Sequence, residues 1–212
     1  MANIDFVQLF VTFAVLIASL TVHEAAHAWT AYRLGDPTAR ALGRLSLNPA
    51  VHVDPIGTIL LPLVAFISNI PIIGWAKPVP VDIRNLRNGR RGFVLVAVAG
   101  PISNLLMACV ASAVLRVMLP FAIEPGPAIE VTARVCLLAL QLNVFLALFN
   151  MIPVPPLDGG NVLAGLLPVQ AAAVFDQIRP FGFLIIYALM LTGVLRSFIL
   201  PIASTIFDWL LP

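Results

Sequence analysis

The chain of 212 residues is 60% hydrophobic and only 10% charged, with a mean hydropathy of +1.01. Soluble domains carry about a quarter charged residues, so this composition excludes an ordinary water-soluble fold and makes lipid the main solvent. A net charge of +2 is too small to mark a nucleic-acid binder, and no nucleic-acid partner is expected.

A spanning helix needs about 20 apolar residues at about 1.5 Å each. The opening "MANID" lacks the basic start of a signal peptide, so the first apolar run, Phe6 to about Leu34, is expected to be retained. Near its end it carries "TVHEAAHAWT", residues 21–30. The polar stretch Gly35 to Asp54 holds Arg40 and Arg44, and the run Ile56 to Ile73 that follows is interrupted by Pro62 and Pro71. Gly74 to Gly92 contains "WAKPVPVD" and the basic residues Lys77, Arg84, Arg87, Arg90 and Arg91. Three further runs have spanning length: Phe93 to Leu119, Val131 to Ile152 and Phe181 to Leu200. The acidic loop Pro120 to Glu130 lies between the first two, and a short tail from Ile202 carries Trp209, a residue suited to the membrane interface. None of the polar stretches is long enough to bury a core of its own. Residues 1–212 therefore read as one membrane-embedded domain with about four full spans. Cys109 and Cys136 lie in apolar runs without Cys-x-x-Cys spacing, as buried thiols do.

Two histidines and a glutamate are expensive in lipid, and ionisable groups inside spans are usually functional. In a helix His23 and His27 are one turn apart and project from one face. Such a pair can chelate a zinc ion, with Glu24 placed to take a proton from zinc-bound water, as in the His-Glu-x-x-His pattern of metalloproteases. Catalytic zinc requires a third protein ligand, and His52, Asp54 and Asp158 are available. Asp158 stands in "FNMIPVPPLDGG", where Pro153, Pro155 and Pro156 stop the helix and stiffen the backbone before a Gly-Gly turn.

The motifs "HEAAH", "GWAKPVP", "AGPISN" and "NMIPVPPLDGG", in that order from Thr21 to about Leu166, resemble the site-2 protease family of intramembrane zinc metalloproteases. The closest likeness is to its compact bacterial branch, which has no inserted peptide-binding domain or nucleotide-binding tail. The resemblance implies an all-α integral membrane protein of the cell membrane whose active site lies within the bilayer toward the cytosol. It implies one zinc ion held by His23, His27 and Asp158, Glu24 as catalytic acid/base, and a transmembrane protein as substrate. His52 is not a ligand in the family pattern; a loop-ordering or substrate-side role suits it better, with ligation as the alternative. Asn104 and Asn143 are candidates to donate to the oxyanion, although interhelical hydrogen bonding is the commoner use of such residues.

A helical substrate shields its amides, so it must unwind before cleavage and its backbone then needs new partners. If "WAKPVPVD" is extended, Pro78 and Pro80 blunt one edge while Lys77, Val79 and Val81 keep donors on the other, a segment fit for strand pairing. Topology follows from charge and metal closure. The basic loops around Arg33–Arg44 and Lys77–Arg91 favour the cytosol. If Ile56 to Ile73 crossed the membrane, Asp158 would lie about 30 Å from the histidines. That run is therefore expected to be re-entrant, leaving the loop with Glu124 and Glu130 outside. Rival readings are a membrane metal or ion transporter, which does not account for Glu24, and a relative that binds membrane helices without cutting them. Substrate selection could rest on prior trimming, a regulatory membrane partner, an oligomer or helix instability.

Overall fold

The computed structural model describes residues 6–68, 74–121 and 126–211. Helix α1 spans Phe6–Arg33 and short α2 spans Thr38–Ala41. A π-helical turn at Pro55–Leu60 continues into α3, Leu61–Ser68. Then come α4 (Arg90–Met118), α5 (Pro127–Asn150), α6 (Asp158–Leu166), α7 (Val169–Asp176), α8 (Gly182–Leu191) and α9 (Val194–Leu210). No strand is present among the described residues.

Four helical stretches are long and apolar enough to cross a bilayer: Phe6–Arg33, Arg90–Met118, Pro127–Asn150 and Val169–Leu191. The first three match the apolar runs of the sequence. The fourth does not: the run Phe181 to Leu200 is broken at Gly193, which adopts the left-handed conformation at φ 76°. The stretch that spans instead begins at Val169 and comprises α7, a 3₁₀ turn at Arg179–Phe181 and α8. Hydropathy averages over a glycine turn, whereas backbone conformation does not. The supposed tail is likewise part of a docked helix. In α9, Ala203 enters a core with Ala108, Ala111, Leu140 and Val144. The last carbonyls of α9 are capped by α4: Arg116 donates to Trp209 and Leu211 at 3.0 and 3.2 Å, and the Ser112 hydroxyl donates to Leu210.

Helix α4 is the hub, packing against α1, α5 and α6. Its buried positions, among them Gly92, Val96, Gly100, Asn104, Ala108 and Ser112, follow an i, i+4 stripe of mostly small residues. Small side chains let helices approach closely where lipid supplies no hydrophobic drive. Its opposite face exposes Leu95, Ile102, Leu106, Val110 and Val117, as a lipid-facing surface does. Cys109 lies on that outer face and Cys136 is half-buried, so the expectation of two buried thiols is corrected. Helical phase, invisible to a run-length reading, decides which face a residue takes.

Asp54 caps the turn that begins at Pro55, accepting from the amides of Ile56 and Gly57 at 3.0 and 2.7 Å. After α3 the chain returns to where that helix began: the Trp75 amide donates to the Gly57 carbonyl at 3.1 Å, and the Thr58 hydroxyl donates to the Trp75 carbonyl at 2.8 Å. Pro71 and Glu124, invoked in the topology argument, lie outside the described residues. Residues 74–82 are irregular and laced down by their backbone. Lys77 donates to the His52 carbonyl at 2.9 Å, and the Arg44 guanidinium donates to the carbonyls of Lys77 and Pro78 at 2.7 and 2.9 Å. The Asp36 carboxylate accepts from the Asp82 amide at 2.8 Å. Burial of Asp36 works against its charge, but hydrogen bonds from Thr38, the Asp82 amide and Asn85 outweigh it and hold its carboxyl below the usual carboxylate range.

Candidate metal centre

The inward stripe of α1 buries Ser19, His23, Glu24, His27 and Ala31. One helical turn separates the two imidazoles, and their Nε2 atoms face each other at 3.1 Å. The Oδ2 atom of Asp158, the first residue of α6, lies 3.2 Å from His23 Nε2 and 3.4 Å from His27 Nε2. Asp158 reaches this place from the end of α5 over the proline ramp Pro153, Pro155 and Pro156. The turn after the ramp closes only because side chains are absent. A Cβ on Gly159 would stand 2.2 Å from the Met151 carbonyl oxygen, and one on Gly160 would stand 2.5 Å from the Pro155 nitrogen.

The donor set fits zinc. His23 Nδ1 is 2.6 Å from Asn104 Oδ1, and His27 Nδ1 is 2.7 Å from the Val96 carbonyl oxygen. The Val96 carbonyl oxygen only accepts, so His27 Nδ1 carries a proton; with Asn104 turning its oxygen to the ring, His23 Nδ1 carries one as well, and each ring in its neutral form then points an Nε2 lone pair inward. Asp158 Oδ2 is buried and accepts no hydrogen bond. Three acceptor atoms thus converge where they repel one another unless a metal ion or a proton lies among them. Ligands at zinc–nitrogen and zinc–oxygen bond lengths in a tetrahedral shell stand about 3.3 Å apart, close to the spacings seen. His23, His27 and Asp158 are the group able to hold a metal among the described residues.

Glu24 is buried beside this group, and its Oε2 accepts from the Val79 amide at 3.0 Å. The four side chains open onto a cavity of about 810 Å³ whose other walls are mostly apolar. Val79 and Val81 line it, as do Trp75 and Phe183, whose ring centroids are 5.7 Å apart.

The remaining candidates from the sequence fall in distinct places. His52 is buried away from the metal group with its Nε2 2.8 Å from the Ser46 carbonyl, and it orders the loop beneath Lys77. Asp54 is spent as a helix cap. Lys77 lies outside the cavity lining and its amide is taken by His52, so Val81 alone of the three proposed strand donors has its amide uncommitted. Asn104 and Asn143 do not line the cavity; Asn104 donates to Asn143 Oδ1 at 2.7 Å, joining α4 to α5. Asn150, Asn161 and Arg179 do line it and escaped the sequence reading. Asn150 stands inside the quoted "FNMIPVPPLDGG", where its polarity at an apolar helix end was the available signal.

Gly100 has a role beyond helix packing. A Cβ there would meet His27 Nε2 at 2.4 Å and His23 Cε1 at 2.6 Å. Gly100→Ala is expected to displace the imidazoles and lower zinc affinity by about ten- to a hundredfold, the range for disturbed ligand support. Competition with a chelator of known affinity measures it, with helical content by circular dichroism unchanged.

The model of the family described as Peptidase family M50 matches residues 116–193. Over 186 residues the chain is 40% identical to the Bacillus subtilis (strain 168) protein named "Putative zinc metalloprotease YwhC", covering 87% of this chain and 81% of that protein. It is 28% identical over 194 residues to Rip2 of Mycolicibacterium smegmatis, which carries the same description, covering 91% of this chain and 71% of that one. Rip2 of Mycobacterium tuberculosis (strain H37Rv) is also 28% identical, over 193 residues, with 91% and 71% covered. No solved structure matches the chain. A 40% identity that runs through most of both proteins, with His23, His27 and Asp158 close enough together to hold a metal ion, identifies the chain as a member of peptidase family M50, the site-2 protease family of zinc metalloproteases.

Proposed function

We propose that residues 1–212 act as one membrane-embedded endopeptidase unit that hydrolyses peptide bonds within transmembrane segments of other membrane proteins. The observation that carries this reading is the convergence of His23, His27 and Asp158 beside Glu24 at the base of a largely apolar cavity. His23, His27 and Asp158 would hold zinc, which when bound supplies Lewis acidity and lowers the pKa of water toward neutrality. Glu24 is not among the three converging donors but lines the same cavity, where it takes the proton of the attacking water and returns it to the leaving amide nitrogen. The cavity's apolar walls suit a substrate segment drawn from lipid and keep bulk water from the reacting groups. Glu24→Gln is expected to retain near-stoichiometric zinc and lose at least about a hundredfold in cleavage, the weight of a general base. Asp158→Ala should lower both zinc content and cleavage. Near wild-type cleavage by Glu24→Gln, measured on a panel of purified transmembrane substrates, contradicts the mechanism.

The unwound substrate is proposed to pair with the segment around Val79 and Val81. Val81 lines the cavity and its amide has no hydrogen-bond partner among the described residues, while the Val79 amide donates to Glu24. A substrate carbonyl that takes the Val79 amide would release Glu24 for proton transfer at the moment of binding. Val79→Pro removes this donor and is expected to lower cleavage by up to about tenfold, the worth of one hydrogen bond between backbone groups. Zinc content should hold, and Val79→Thr, which keeps the amide, should cleave nearly as wild type. Equal loss in the two variants points to side-chain packing instead.

The stretch Ile56 to Ile73 is proposed to enter the membrane and turn back, with the metal group facing the cytosolic side. Two observations support this. The helical segment Pro55–Ser68 covers 14 residues, about 21 Å at 1.5 Å each and short of the 30 Å hydrocarbon layer. Trp75 is back beside Gly57 and Thr58, where the segment began. Single cysteines replacing Leu42, Arg84 and Glu130 in a variant without Cys109 and Cys136 test it with a membrane-impermeant thiol reagent. The first two should label from the cytosol and the third from outside; labelling of Leu42 and Arg84 from opposite faces refutes it.

A further inference from the structure

Behind His23 lies a line of polar side chains that zinc chemistry alone does not call for. Asn104 Oδ1 accepts from His23 Nδ1 at 2.6 Å; Asn104 Nδ2 donates to Asn143 Oδ1 at 2.7 Å; Asn143 Nδ2 donates to Ser19 Oγ at 2.9 Å and to the Ala139 carbonyl at 2.8 Å. Ser19, Asn104 and Asn143 have no exposed surface, and they come from α1, α4 and α5. An asparagine amide can face either way, and its two ends have opposite consequences here. With its oxygen toward His23, the ring must carry its proton on Nδ1 and offer Nε2 as a lone pair. With its NH₂ toward His23, the proton moves to Nε2 and ligation is lost. His27 carries no such ambiguity, because its Nδ1 donates to a main-chain carbonyl.

We infer that Asn143 and Ser19 hold the Asn104 amide in the orientation that makes His23 a ligand, so that Asn104 and Asn143 are positioning residues for the metal. The Ala139 carbonyl can only accept, which fixes the NH₂ end of Asn143. Its oxygen is thereby turned to Asn104, and this fixes the NH₂ end of Asn104 in turn. The orientation thus passes in one direction, from a main-chain carbonyl to His23, through three hydrogen bonds. The inference rests on the proposed ligand role of His23.

The test uses metal-free full-length protein titrated with Zn²⁺ against a competing chelator. Asn104→Leu, similar in shape and without an acceptor, should bind Zn²⁺ about ten- to a hundredfold more weakly. Asn104→Asp keeps an acceptor for His23 Nδ1 and should bind Zn²⁺ more tightly than Asn104→Leu, yet short of wild type, because its second oxygen faces Asn143 Oδ1 where the wild type has an NH₂ donor. Asn143→Leu should fall between. In the zinc-loaded wild type, ¹⁵N-labelled histidine should show slowly exchanging Nδ1 protons for His23 and His27. Asn143→Leu should shift the His23 signal and leave that of His27 in place, which a general loss of packing would not do. Equal Zn²⁺ affinity in wild type and Asn104→Leu overturns the inference, as does equal weakness of Asn104→Asp and Asn104→Leu. An His23 ring protonated at Nε2 in the zinc-loaded wild type overturns it without any variant having to fold. A wild type that binds no Zn²⁺ overturns the ligand reading itself, a different result from any of these.

Discussion

Two imidazole nitrogens and a carboxylate oxygen held 3.1–3.4 Å apart form an arrangement that drives itself apart unless a metal ion or a proton lies among them. In water such groups would turn away and hydrate. Here they are buried in a bundle whose outer face is apolar, so the surrounding helices must hold them together. Much of the architecture answers that demand. Helix α4 lies against α1 through a small-residue stripe, and Gly100 lets its backbone come against the ring edges. Pro101, one residue on, lacks the amide that would bond the Ala97 carbonyl. Val96, the residue whose carbonyl receives His27, precedes Ala97 in that turn.

The third donor arrives by a different principle. Helices α4 and α5 run to the far end of the bundle and back, and the proline ramp then converts the end of a span into a fixed point from which Asp158 projects. The ramp is clamped from behind as well. A Cβ on Gly182, at the start of α8, would stand 1.7 Å from the Pro155 carbonyl oxygen. Together with Gly159 and Gly160 it forms a collar of backbone around the prolines. Rigidity near the candidate metal group thus comes from missing side chains as much as from the ones present.

The chemistry was far more legible in the sequence than its support. The spacing of His23 and His27 follows from helical geometry, and three full spans stand out because length and apolarity suffice to define them. The last span was misplaced because Gly193 divides a continuous apolar run, and apolarity cannot register a residue's φ. Asp158 was narrowed down by the proline and glycine context, and the fold brings it, rather than Asp54 or His52, to the histidines. Partnerships between residues 81, 39 and 124 positions apart, which join His23 to Asn104, Asn143 and Ser19, leave no local pattern. The bond between Glu24 and the Val79 amide is hidden for the same reason, since a main-chain donor has no signature in residue type. Arg44 reads in the sequence as a loop charge of a membrane protein and Asp36 draws no notice there, yet both are buried and spend their charge on the backbone of residues 77–82.

The support given to His27 differs in kind from that given to His23. A main-chain carbonyl is present whatever amino acid is encoded at position 96, so long as α4 keeps its course. No codon change at that position deletes the acceptor, and a lineage can vary the side chain there with the shape of its bundle alone as the limit. The acceptor for His23 is itself encoded at position 104, where a single nucleotide substitution can remove it. The two histidines are therefore equal in geometry and unequal in heredity: one rests on the shape of the polypeptide, the other on its spelling.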